Sequence, residues 1–124
     1  MKFLHLCALT AALTFSAHAF AGQIPEGVYV QTSSSGTGDC PTCEITVTNA
    51  TPHIVKVVSN NDWIGYASYS QKDDNYRGAF EWKAGKGGAY EGVVFASDLV
   101  YEGKTLNLNA KSIPLSFSAT FRKK

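Results

Sequence analysis

Two cysteines with two residues between them, Cys40-Pro41-Thr42-Cys43, are the side chains in this sequence whose spacing most directly suggests chemistry. A dithiol of that spacing works as a thiol–disulfide exchanger when its first cysteine opens a helix, because the helix N-terminus stabilises the thiolate. Cys43 instead leads into Glu44-Ile45-Thr46-Val47-Thr48, a β-branched run, with no strand–helix–strand pattern around it. The spacing therefore predicts a structural disulfide, Cys40–Cys43, closing a turn. The end Cα atoms of a β-turn lie within about 7 Å, inside disulfide reach, and Pro41 presets the second position. A ring that small constrains the unfolded chain by only ~2 kcal/mol.

The remaining reactive residues are scattered. His53 is the one histidine outside the first 21 residues, so a histidine-rich metal site is excluded and a serine–histidine–aspartate triad would depend on it alone. Asp62, Asp73 and Asp74 do not match the spacing of a calcium-binding EF-hand loop and read as solvated hairpin tips. Gly85-Lys86-Gly87-Gly88 lacks the spacing of a phosphate-binding loop and reads as a turn between strands. Asn49-Ala50-Thr51 is a formal glycosylation sequon. Glu81, Glu91 and Glu102 have no context that pairs two of them for acid–base work. No catalytic residue, metal or cofactor is implied, and the expectation is a non-enzymatic protein.

The elements that must carry these residues are short runs of alternating apolar and polar side chains. Strands are predicted at 27–31, 43–48, 53–59, 63–70, 76–83, 89–96, 104–109 and 115–122, with 99–101 extending the seventh. Turn-forming residues separate them, and the connections are too short for parallel crossovers, so neighbours pair antiparallel as a meander. In the fifth strand Tyr76, Gly78, Phe80 and Trp82 share one face, and in the eighth Ser116, Ser118, Thr120 and Arg122 share the wet one. An aromatic-x-glycine unit recurs at Trp63–Gly65, Tyr76–Gly78, Tyr90–Gly92 and Tyr101–Gly103. Glycine weakens a flat strand, so its recurrence points to tight coiling with the aromatic covering the bared backbone. Coiling of that kind favours an all-β antiparallel barrel of about eight strands over the alternative, a β-sandwich.

The first residues are set apart from this pattern. Met1-Lys2 precedes a mostly apolar run from Phe3 to Phe15, and Ala17-His18-Ala19 and Ala19-Phe20-Ala21 offer small-x-small cleavage sites. Residues 1–21 therefore read as a cleaved export signal and 22–124 as one domain, secreted or periplasmic. No later stretch approaches the roughly 18 apolar residues of a membrane span. The chain has 11 Lys+Arg and 10 Asp+Glu, and Lys2 leaves with the signal. That balance argues against nucleic acid, which calls for a basic excess.

Gly27-Val28-Tyr29 near the start and Arg122 at the end of the last strand resemble the signature of the calycin group of up-and-down barrels, which includes lipocalins and avidins. Those barrels open with Gly-x-Trp and close with a basic residue stacked on that ring; here tyrosine stands for tryptophan. The resemblance implies closure of the barrel by Tyr29 and Arg122. An eight-stranded barrel holds side chains or one small ligand. Trp63, Tyr69, Tyr76, Phe80, Trp82 and Tyr90 are the expected walls of a site for a small apolar or amphipathic ligand. The alternative is a monomeric protein-binding module, an enzyme inhibitor or a toxin-immunity protein, using the loop from Thr32 to Cys43.

Overall fold

The computed structural model describes residues 23–35 and 42–124. Eight antiparallel strands form a closed barrel: β1 (Gly27–Ser35), β2 (Glu44–Thr51), β3 (Ile54–Ser59), β4 (Trp63–Ser70), β5 (Asn75–Trp82), β6 (Phe95–Glu102), β7 (Thr105–Ser112) and β8 (Leu115–Lys123). Each strand pairs with the next, and β8 returns to β1 through Val30–Arg122 and Gln31–Phe121. The ladder slips between Gln31 and Ser33, so a bulge lets β1 bend where the barrel closes. The all-β barrel expected from the alternation is the fold, and closure leaves no open sheet edge among the described residues.

Alternation decides which side chains fill the interior. Ile45, Val47, Val55, Val57, Trp63, Ala67, Tyr76, Phe80, Phe95, Leu99, Leu106, Leu108, Ala119 and Phe121 are all buried and make one core. The recurring aromatic-x-glycine unit has two different causes. At Gly78 an added Cβ would run into the Tyr66 carbonyl oxygen, and at Gly65 it would lie 2.7 Å from the Phe80 Cβ, so these two strand glycines allow the close approach of β4 and β5 that coiling demands. Gly92 and Gly103 sit outside the strands, in turns.

The sixth strand lies elsewhere than the alternation at 89–96 suggests. Gly88–Tyr90 is a single 3-10 turn, and β6 begins at Phe95 and takes in Leu99, Val100 and Tyr101. Left-handed glycines at 87, 88 and 92 break the extended backbone that the apolar pattern would otherwise support. Residues 83–94 thus become a long connection between β5 and β6, whereas β2–β3, β4–β5, β6–β7 and β7–β8 are joined by short turns.

Tyr29 and Arg122 do lie on the neighbouring strands that close the barrel, but the expected stack does not form. Arg122 stands opposite Val30 and is exposed, while Tyr29 points inward, is fully buried and stands opposite Lys123. The Tyr29 ring instead meets Tyr101 edge-on at 6.3 Å, and its hydroxyl donates to the Pro25 carbonyl at 2.6 Å. The period of two explains this: Phe121 faces in, so its neighbour Arg122 must face out.

A candidate binding groove on the barrel wall

The six aromatic residues singled out from the sequence separate into two groups. Tyr69 and Tyr76 pair at 5.3 Å near the β4–β5 turn, where the Tyr69 hydroxyl donates to Asp74 at 2.7 Å. Trp63, Phe80, Trp82 and Tyr90 gather toward the other end. Phe80 lies 4.5 Å from Trp63 and 5.9 Å from Trp82, and Trp82 stacks on Tyr90 at 5.6 Å. Phe95 and Phe117, absent from the expected set, complete this cluster: Phe95 stacks on Phe80 at 5.3 Å and meets Phe117 at 5.4 Å.

Among the described residues these rings pack against one another inside the barrel. A small void of about 60 Å³ lies among the described residues at the barrel mouth beside Gln31, Ser59, Asn61, Trp63 and Trp82, and another of about 10 Å³ near Val57 and Phe80. The larger is roomy enough to hold water. The alternation of small and large inward residues serves to pack the taper of the barrel.

The larger space lies outside. A groove of about 550 Å³ runs along the outer face of β4 and β5 beneath residues 83–94. Ile64, Tyr66, Ala79 and Val94 form its apolar wall, and Lys83, Glu81 and Glu91 border it. Tyr66 is 52% and Val94 55% exposed, so two large apolar side chains stand in water on the barrel's wet face. The Glu91 carboxylate accepts the Gly85 N–H at 2.8 Å, which ties the ends of the connection together. The Lys83 N–H donates to the Asp62 carbonyl at 2.8 Å and anchors its start to the β3–β4 turn. A volume near 550 Å³ lies in the range of small-molecule sites, ~300–1,000 Å³. Of the residues chosen from sequence, Phe80 and Trp82 line this groove. The signal that could have found the rest is the parity of β4: with Trp63, Gly65 and Ala67 inward, Ile64 and Tyr66 must face out.

The other reactive residues take ordinary positions. His53 is exposed in the β2–β3 turn, its N–H donating to Thr51 Oγ1. Arg77 bridges Asp73 and Asp98 at 3.3 Å each on an exposed surface, a pairing worth little in water. Among the described residues no group of three His, Cys, Asp or Glu side chains is arranged to hold a metal. Cys43 is buried at the mouth, and Cys40 lies outside the described residues, as do the rest of 36–41 in the expected loop from Thr32 to Cys43 and the export segment, while Thr32–Ser35 belong to β1. Among the described residues no helix is long and apolar enough to cross a membrane.

Burial and one hydrogen bond raise the tyrosine pKa values at the opposite end. Burial pushes the Tyr29 phenol up to about 12, with the nearby Tyr101 adding to the rise. Burial raises Tyr76 as well, against a smaller lowering by its hydrogen bond with the Ile24 backbone. Tyr69 is raised chiefly by its hydrogen bond to Asp74.

Compared with family models, with curated proteins and with solved structures, the chain matches none.

Proposed function

We propose that this is an exported, non-enzymatic binding protein that holds a small amphipathic molecule in the groove on its outer wall. The carrying observation is the groove itself: about 550 Å³ of space against an apolar wall, where the lumen has about 60 Å³. The apolar part of the ligand covers Tyr66, Ile64 and Val94, and its polar part faces the charged border at Lys83, Glu81 and Glu91. Export and a Cys40–Cys43 disulfide belong to this reading, as does the calycin-like plan of a barrel that serves a ligand. Mass spectrometry of the exported protein should give a mass two hydrogens below the dithiol form.

Titration of the folded protein with dodecanoate tests the binding. Trp82 lines the groove, so its fluorescence should respond, and Trp63→Phe leaves it as the sole tryptophan reporter. Tyr66→Ser and Val94→Ser should each weaken binding by roughly tenfold, the value of losing ~1.4 kcal/mol of apolar contact. A barrel that stays folded and ignores dodecanoate removes this reading.

One observation favours the second reading, a protein-binding module. Ile113, in the turn between β7 and β8, is 97% exposed, and that turn stands at the end of the barrel where β1 ends at Ser35 and β2 begins at Glu44. An exposed apolar side chain on a turn is the kind of anchor that fills a partner's pocket. Ile113→Asp should then abolish capture of the partner without altering the melting temperature.

A further inference from the structure

We infer that the outer groove selects cationic amphiphiles, with the ligand's ammonium group seated between the Glu81 carboxylate and the exposed Tyr66 ring. This deepens the groove reading above and rests on it. Of the charged residues that line the groove, Glu81 and Glu91 are acidic and Lys83 is basic. Setting Lys83 against either carboxylate leaves the other uncompensated, so the lining has a negative excess. Lys56 stands opposite Tyr66 on β3 but is not part of the lining, and Arg77 on the same face is held by Asp73 and Asp98.

The register of β4 and β5 places the two groups. Tyr66 stands opposite Ala79 and Ile64 opposite Glu81, so Glu81 is the diagonal neighbour of Tyr66 on the outer face. Diagonal neighbours lie about 7–8 Å apart, within reach of aromatic and long side chains. Ala79, directly opposite Tyr66, is exposed and too short to fill the space between them. Among the described residues the Glu81 side chain enters no hydrogen bond or ion pair, and the Tyr66 ring meets no other ring. Both are open to a ligand.

The chemistry of the pair decides the sign of the ligand's charge. The face of a tyrosine ring is the negative side of its quadrupole and attracts a cation. The carboxylate beside it attracts the same charge, so an ammonium group between them gains from both. An anionic head meets the reverse: it is repelled by Glu81 and Glu91 and reaches Lys83 only two residues along the chain from Glu81. The ligand's apolar chain covers Ile64 and Val94 with either head group, which makes the head the discriminating part.

Calorimetric titration with dodecyltrimethylammonium and with dodecanoate, each below its micelle concentration, tests the inference, because the two share a chain and differ in the head. Both should bind, the cation about tenfold tighter at low salt, the worth of one exposed ion pair and one cation–π contact together. At an ionic strength of about 1 M, where the screening length is ~3 Å, the gap should narrow. Glu81→Gln should weaken the cation several-fold and leave dodecanoate no weaker. Tyr66→Leu keeps an apolar side chain without a ring face and should weaken the cation alone. Both positions face solvent, so an unchanged melting temperature shows that the barrel is intact. Equal affinities, or tighter dodecanoate, would overturn the cation preference and leave the groove reading standing. A preference undiminished in both variants would overturn the seat between Glu81 and Tyr66. Failure of both amphiphiles to bind the folded protein takes the groove reading with it.

Discussion

The two ends of this barrel are both lined with aromatic residues, yet they are built on different principles. At one end Tyr29, Tyr76 and Tyr101 lie beneath the N-terminal segment at Ile24 and Pro25. The Tyr29 hydroxyl is used as a tether, donating to the Pro25 carbonyl. Short turns join the strands there. At the other end Trp63, Phe80, Trp82, Tyr90, Phe95 and Phe117 touch ring to ring, with the Trp82–Asn61 bond as a polar tether among them. That end carries the long connection 83–94, the void and the neighbouring groove. Directional hydrogen bonds hold one arrangement, whereas ring contacts worth about 0.5–1.5 kcal/mol each permit several of similar energy. The tethered end is therefore expected to repack less freely than the ring-packed end.

Mutations at each end should separate these roles. The largest effect is expected from Phe80→Ala, which removes the ring that touches Trp63, Trp82, Phe95 and Phe117 and should cost roughly 3–5 kcal/mol in urea unfolding. A loss under about 1 kcal/mol would mean that the cluster already repacks freely. Gly78→Ala forces a Cβ onto the Tyr66 carbonyl oxygen and should cost about 1–3 kcal/mol, with faster amide exchange along β4 and β5.

Tyr29→Phe tests the tethered end. It should cost roughly 0.5–1.5 kcal/mol at neutral pH by deleting the bond to Pro25. Its pH dependence is the sharper measurement. The folded phenol holds its proton up to about 12 against an ordinary value of 10.0, so its stabilisation is complete below pH 10 and is lost as pH rises toward 12. Melting temperatures of the parent should therefore fall across that window more steeply than those of Tyr29→Phe; parallel curves would rule out Tyr29 as the group responsible. Smallest of all should be Arg122→Ala, because the guanidinium faces solvent and stability should stay within about 0.5 kcal/mol. A larger drop would restore a closing role to this residue.

Most of the fold is readable from residue order. The strand expected at 63–70 has those bounds in the structure, and the shared face of Tyr76, Gly78, Phe80 and Trp82 comes from the period of two alone. The sixth strand departs from its expected place because Tyr90, Gly92, Val94 and Ala96 alternate as a strand would. A glycine at φ +78° and the seat of Tyr90 on Trp82 outweigh that pattern, and a one-dimensional reading weighs neither. Phe95 escapes the set of expected site residues for the same reason.

Sequence by itself determined an antiparallel barrel, its strand count and the side of the wall on which most residues lie, because alternation is a local property of extended backbone. Only the tertiary structure decided whether the aromatic side chains enclose space or consume it. That outcome depends on how rings from β4, β5, β6 and β8 interdigitate across the lumen, a sum of volumes over residues far apart in the chain. The same holds for the groove. Tyr66 and Val94 are 28 positions apart in the sequence, and they become one surface only when residues 83–94 fold back over the outer wall.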